Sequence, residues 1–159
     1  MHGSKVLPLH KKSRLLIRQS DKLLLGYKKR GFGASKYNGF GGKQEENETI
    51  LECAQRELFE ESGLTCTDLK EVGNLLFDFD DTQTQLRVTV FSGHTIFGNL
   101  VETDEMKPQW FDINALPYDQ MWQDDVLWYP YYLKQKKFEG IFRFKDEDVM
   151  LTHFVRQTE

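Results

Sequence analysis

The chain has 159 residues, with 21 lysines and arginines against 25 aspartates and glutamates, for a formal net charge of −4. That length suits one domain with a proper core. The mild acidity argues against a non-specific grip on nucleic acid polymers, so a nucleotide partner is expected to be small and to carry its own metal. Apolar content of 39% and aromatic content of 13% fit a globular protein with an aromatic-rich pocket or interface. The opening residues lack the apolar run of a signal peptide, and no stretch is long enough to span a membrane. Cys53 and Cys66 form no ligand spacing and suit a reducing compartment. A cytoplasmic protein is therefore expected, with a mitochondrial or nuclear fraction left open.

In chain order, residues 1–12 read as a tail and 13–159 as the folded domain. Residues 13–17 and 23–28 flank Gln19-Ser20-Asp21-Lys22, which predicts two antiparallel strands joined by a short turn. The next stretch, KKRGFGASKYNGFGGK at 28–43, carries Gly31, Gly33, Gly39, Gly41 and Gly42. Such a run breaks regular structure and lets backbone approach a ligand closely. Thr49 and Glu52 make a T-x-x-E capping box, so a helix begins there, and Gly63 supplies a left-handed stop. Between them Ile50, Leu51, Ala54 and Leu58 recur at helical spacing as an apolar face. Residues 69–80 and 86–91 read as strands around an Asp80-Asp81-Thr82 turn. Residues 93–105 read as a polar connection, 108–112 as a short strand and 113–116 as a helical turn. Asp124 or Asp125 then caps a helix over 126–137, with Pro130 tolerated only near its first turn. Residues 138–144 and 149–156 suggest a closing hairpin. Strands and helices mix without strict βαβ alternation, so the fold class expected is α/β, a mixed β-sheet with helices on both faces.

The stretch from Gly42 to Leu64 organises the rest. It reads G-x5-E-x7-R-E-U-x-E-E-x-G-U, where U is bulky and aliphatic; Gly42, Glu48, Arg56, Glu57, Leu58, Glu60, Glu61, Gly63 and Leu64 fill every fixed place. At roughly 100° per residue, Glu57, Glu60 and Glu61 lie within an arc of about 100° in the last helical turns. Like charges there repel, and they face the negative end of the helix dipole. A hard divalent cation reverses both penalties. Carboxylate oxygens suit Mg²⁺, which keeps part of its shell for water and substrate phosphates. Alone, an E-x-x-E-E run more often means a solvated acidic face; inside the complete pattern the metal reading prevails.

With these residues in place, the chain resembles the Nudix family, whose signature is this pattern. K-K-R-G-F-G-A at 28–34, N-G-F-G-G-K at 38–43, D-E-M-K-P at 104–108 and M-W-Q-D-D at 121–125 are similar to its animal MutT-like branch, the oxidised-purine nucleoside triphosphatases. The likeness runs from residue 13 to about residue 154. It implies an α/β/α sandwich and a Mg²⁺- or Mn²⁺-dependent pyrophosphohydrolase. Its substrates would be oxidised purine nucleoside triphosphates such as 8-oxo-dGTP and 2-hydroxy-dATP, cleaved to monophosphate and pyrophosphate so that the nucleotide pool is cleared of mutagenic precursors. The enzyme is expected to be a monomer, with no membrane or nucleic-acid polymer as partner.

Carried over residue by residue, the resemblance implies that Glu57, Glu60, Glu61 and Glu105 hold metal together with the Gly41 carbonyl. Arg56 would orient the acids, by pairing with Glu48. Asn38 would hydrogen-bond the base, Trp122 stack on it, and Asp124 and Asp125 read its edge. Phe32 and Phe77 would form walls, Ser13 and Lys28 further contacts, and Phe40, Gly42, Lys43 and Gln123 complete the matching segments. Either Glu61 or Glu105 would activate the attacking water. Ser13 stands where threonine is usual, Tyr37 for a tryptophan, Asn47 for a glycine, and Leu86-Arg87 for a Met-Asp pair, with Arg87 expected at the pocket rim.

The base-reading role also has a physical ground. Desolvation and mutual repulsion keep two adjacent acids in an aromatic pocket from ionising together. One protonated acid beside a carboxylate offers a donor and acceptors, matching 8-oxoguanine; moving the proton matches 2-hydroxyadenine. Blander readings stand beside these: a plain helix cap for Asp124-Asp125, ordinary core for Trp122, a solvated acid at Glu105, and anion steering by Lys28-Lys29-Arg30. Rival functions are a different Nudix substrate (dinucleoside polyphosphate, nucleotide sugar or capped RNA) and a nucleotide-binding module without catalysis.

Overall fold

The structure, a computed structural model, describes residues 7–159. Strands β1 (Leu9–Gln19) and β2 (Lys22–Lys28) form the predicted hairpin, with Ile17 opposite Leu24 and Gln19 opposite Lys22. β1 starts ahead of the expected boundary at 13, because Leu9–Lys12 find parallel partners at Gln85–Val88. The rest of the expected tail, residues 1–6, lies outside the described residues. Next come β3 (Tyr37–Asn38), α1 (Ile50–Ser62), β4 (Leu64–Cys66), β5 (Lys70–Phe79), β6 (Thr84–Gly93), β7 (Ile96–Gly98) and β8 (Met106–Asp112). A 3-10 turn at Tyr118–Gln120, α2 (Asp125–Leu133), β9 (Phe138–Asp146) and β10 (Val149–Gln157) complete the order.

One mixed sheet runs β10-β9-β5-β6-β1-β2-β3, with β8 also paired to β2. β1 is parallel to β6 and β5 parallel to β9, and the other pairs in the sheet are antiparallel. β4 and β7 pair separately, Leu64 opposite Gly98. Three residues carry too little alternation to be read as strand from sequence, and β7 falls within the connection expected at 93–105.

Alternation along the strands separates two cores. Leu16, Leu23, Leu25, Leu75, Phe77, Val88 and Val90 face α2, whose Trp128, Tyr129 and Tyr132 cover them. Leu15, Ile17, Leu24 and Phe91 face the other way, under Ala54 and Leu58 of α1. The sheet thus lies between two helices, as expected.

α1 begins and ends where its caps dictate. Glu52 N–H donates to Thr49 Oγ1 at 3.1 Å and Thr49 N–H to Glu52 Oε1 at 2.9 Å, while Gly63 stops the helix at φ 78°. Its buried stripe passes through Cys53 rather than Leu51, which is 39% exposed. α2 differs more from expectation. It ends at Leu133 with Pro130 inside it, and the Asp124 side chain makes no capping bond. Asp124 Oδ2 instead accepts the Trp128 Nε1–H at 2.8 Å.

Candidate active site

Three neighbouring glutamates leave α1 in different directions. The Glu61 side chain turns into the protein and accepts the Gly41 N–H at 2.8 Å. Glu57 lies against the backbone of Gly42, where an added Cβ would meet Glu57 Oε1 at 2.5 Å. That close approach is what the glycine permits. Glu60 is mostly exposed and accepts from Arg56 Nη1 at 3.2 Å.

Arg56 ties this end together. Its Nε and Nη2 donate to the two Glu48 oxygens at 3.0 and 2.8 Å, its Nη1 to Glu57 at 2.9 Å, and its Nη2 also to the Lys43 carbonyl at 3.1 Å. Those bonds hold the Glu48 carboxyl down to about 2. Asn47, one residue earlier, has φ 64°, a left-handed position where glycine is the usual occupant and asparagine is tolerated. Its departure from the family pattern is thereby explained.

Burial pushes the Glu61 carboxyl up to about 8, reinforced by the nearby charges of Glu57 and Glu105. Burial also raises Glu57, with Glu60 and Glu105 adding to the effect. Among the described residues no three acidic, histidine or cysteine side chains already converge at metal-binding distance. The donor chemistry nonetheless fits a hard divalent cation: acidic oxygens held close enough to raise one another, beside backbone that can approach them.

From this acidic end a cleft, partly open to solvent, runs toward the N-terminus of α2. Trp122 and Phe32 meet at 5.1 Å between ring centroids, and Phe79 packs edge-on to both. Deeper in, Asp124 and Asp125 are fully buried. Asp124 Oδ1 and both oxygens of Asp125 have no hydrogen-bond partner in the described protein. Burial, followed by the Asp124 charge, holds Asp125 well above the usual carboxylate range. Burial raises Asp124 too, but the Trp128 N–H and the Arg14 charge oppose it. Both acids are thus raised, Asp125 the more strongly, so that the pair keeps a proton between them.

The cleft brings together Ser13, Lys28, Phe32, Asn38, Gly41, Gly42, Glu61, Phe77, Trp122, Asp124 and Asp125 of the expected residues. Glu57, Glu60, Arg56 and Glu105 stand beside its acidic end rather than in its lining, Glu105 close enough to act on Glu57 and Glu61. Four residues expected at the cleft lie outside its lining. Phe40 is wholly buried in the core under α1, where it bridges to Leu15, whose side chain faces that helix. Lys43 is exposed and contributes its carbonyl to Arg56. Gln123 is exposed and accepts the Met150 N–H at 2.7 Å, fastening the β9–β10 hairpin. Arg87 also lies away from the pocket rim, in a groove on the opposite sheet face with Leu76 and Ile141.

Lys12 and Arg14 were missed. Both project from β1 into the cleft. Burial, and then the charges of Arg14, Lys28 and Lys43, lowers the Lys12 ammonium to about 8, while its Nζ sits 4.5 Å over the Phe32 ring. The available signal was a pair of cations two apart in a strand, which places them on one face. Together with Lys28 they give the cleft a cationic side suited to phosphate.

The model of the NUDIX domain matches residues 7–132. The chain is 46% identical over 159 residues to a Danio rerio protein named oxidized purine nucleoside triphosphate hydrolase, covering all of this chain and 99% of the relative. It is 44% identical over 145 residues to the Mus musculus protein of the same name, covering 91% and 93%. The MutT protein of Bacillus halodurans shares the fold, with TM-score 0.82 at 21% identity, over 92% of this chain and 97% of that one. The carboxylate helix, the glycine backbone closing on it and the match along most of the chain agree: this protein is a member of the Nudix hydrolase family.

Proposed function

We propose that the enzyme hydrolyses oxidised purine nucleoside triphosphates to the monophosphate and pyrophosphate. One observation carries the reading: a single cleft joins the Gly41, Gly42 and Glu61 backbone-and-acid end to Trp122 and the buried Asp124-Asp125 pair. Two relatives at 44–46% identity bear the name of this activity, which supports it. Fully buried acids with free oxygens are costly unless a ligand uses them. A purine edge offers hydrogen-bond donors and acceptors, and its flat face suits Trp122 and Phe32.

Nudix hydrolases generally use a divalent metal. We assign Mg²⁺, with Mn²⁺ as substitute, to Glu57, Glu60, Glu61, Glu105 and the Gly41 carbonyl; the ion supplies neutralisation of the triphosphate and of the leaving pyrophosphate. The protein's own part is positioning and electrostatics. Trp122 and Phe32 hold the base while Asp125 donates and Asp124 accepts. Lys12 and Lys28 receive the phosphates. Arg56 keeps Glu57 and Glu60 in place. Glu61 or Glu105 takes the proton of the attacking water.

Pyrophosphate release in Mg²⁺ tests the assignment with 8-oxo-dGTP, 2-hydroxy-dATP, O6-methyl-dGTP, dGTP and diadenosine tetraphosphate. The expected result is a preference for modified purines over dGTP of about 10²-fold or more, the discrimination available when buried polar groups go unpaired with the wrong ligand. Turnover of diadenosine tetraphosphate alone, or of nothing in the panel, would overturn it.

A further inference from the structure

Lys12, Arg14 and Leu16 alternate onto the cleft face of β1. That face is largely apolar deeper in, so a cation at 14 needs an acceptor. It has one: Arg14 Nη1–H donates to Asn38 Oδ1. The same oxygen accepts the Gly39 N–H at 2.9 Å. A carboxamide oxygen has two acceptor sites, and both are occupied. Gly39 makes room for the arrangement, since a Cβ there would lie 2.9 Å from Arg14 Cδ.

A free asparagine can present either end of its carboxamide, exchanging acceptor for donor by a flip. With Oδ1 held, a flip would set its NH₂ against a guanidinium and a backbone N–H, donors facing donors. Asn38 therefore offers the cleft N–H donors only. The opposite wall is adjustable, because three free carboxyl oxygens of Asp124 and Asp125 can share a proton in more than one way. One wall adapts and the other does not.

We propose that Arg14 is a positioning residue that sets base choice: by holding Asn38 as a donor, it favours purines with a 6-oxo group over purines with a 6-amino group. The inference rests on the oxidised-purine reading above. The C6 substituent lies between the two hydrogen-bonding edges of a purine. Guanine-type bases carry an acceptor there and adenine-type bases an amino donor. Nucleotides of 8-oxoguanine are thus preferred to those of 2-hydroxyadenine, and the fixed amide limits the latitude that the acid pair allows.

Calorimetric titration with 8-oxo-dGMP and 2-hydroxy-dAMP, without divalent metal, reads affinity apart from turnover. The wild type binds 8-oxo-dGMP the more tightly. Arg14→Leu frees the Asn38 amide and lowers the ratio of the two affinities about tenfold, the worth of one good hydrogen bond, mainly by improving 2-hydroxy-dAMP. Arg14→Gln keeps an N–H donor toward Oδ1 without the charge that also reaches Asp124 and Asp125, and restores most of the ratio. Arg14→Met replaces the leucine variant should that one melt early. An unchanged ratio, or equal weakening of both ligands, overturns the role of Arg14 while leaving the oxidised-purine reading intact. Binding of neither nucleotide by the wild type overturns that reading and this inference together.

Discussion

Asp125 carries a proton that an isolated aspartate would have lost. Its folded pKa lies well above 3.8 because burial and the Asp124 charge both disfavour ionisation. A raised acid binds more protons folded than unfolded, so stability falls as pH climbs from about 3.8 toward the folded value. Asn at this position keeps the shape and does not titrate. Asp125→Asn should therefore melt close to the wild type near pH 4 and higher than it at pH 8. The margin should widen steadily as pH rises between those values. Thermal melts across that range check the slope, and a margin independent of pH would show that Asp125 ionises normally. The same variant should lose selectivity for oxidised over ordinary purine, because the shared proton is gone. What the sequence disclosed at this scale was the residue types and their adjacency. What it hid was the partner: the Trp128 N–H taken by Asp124 lies one helical turn onward, and nothing local distinguishes that bond from a cap.

α1 shows how far local rules reach. Its capping box, its left-handed stop and the order of its acids were all readable, because each depends on residues within about four positions of one another. The missed detail, the exposure of Leu51, depended on what lies opposite: no element covers that side, while Cys53 packs against Ser13 of β1 at 3.3 Å. The two ends of the helix make unequal demands. Thr49→Ala removes a hydroxyl acceptor and should cost about 1 kcal/mol. Gly63→Ala has to place a side chain at φ 78° and set its Cβ 2.6 Å from the Asn99 carbonyl oxygen. Its cost should reach about 2 kcal/mol, left-handed strain with a steric term added. Denaturant titrations rank the two, and a smaller loss for Gly63→Ala would mean that the 99–101 connection yields freely. Since Glu60 and Glu61 occupy the last turn, Gly63→Ala should also depress kcat by more than Thr49→Ala does.

The molecule is assembled from pairings that no local pattern announces. β1 lies beside β6 and β5 beside β9, each partner distant in sequence, and these pairings turn Arg14 and Phe77 toward the same cleft. Hairpin neighbours such as β1–β2 and β9–β10 were therefore legible while these distant partners were not, and Lys12 and Arg14 went unseen for that reason. The same topology argues that the folding unit extends past the region matched by the NUDIX model, which ends at residue 132. β9 contributes Phe138, Phe142 and Phe144 to the core, each at most 1% exposed. Phe138 stacks on Trp128 at 5.2 Å, Phe142 on Phe77 at 5.2 Å, and Phe144 meets Trp122 at 5.6 Å. Losing a buried phenylalanine costs about 3–5 kcal/mol, so three together are comparable to the roughly 5–15 kcal/mol that holds a domain folded. A fragment ending at Leu133 should consequently lack a cooperative unfolding transition and near-ultraviolet aromatic circular dichroism, although every residue of the carboxylate pattern is present. A cooperative melt from that fragment would instead put the end of the folding unit at α2 and make the β9–β10 hairpin an accessory to the base pocket.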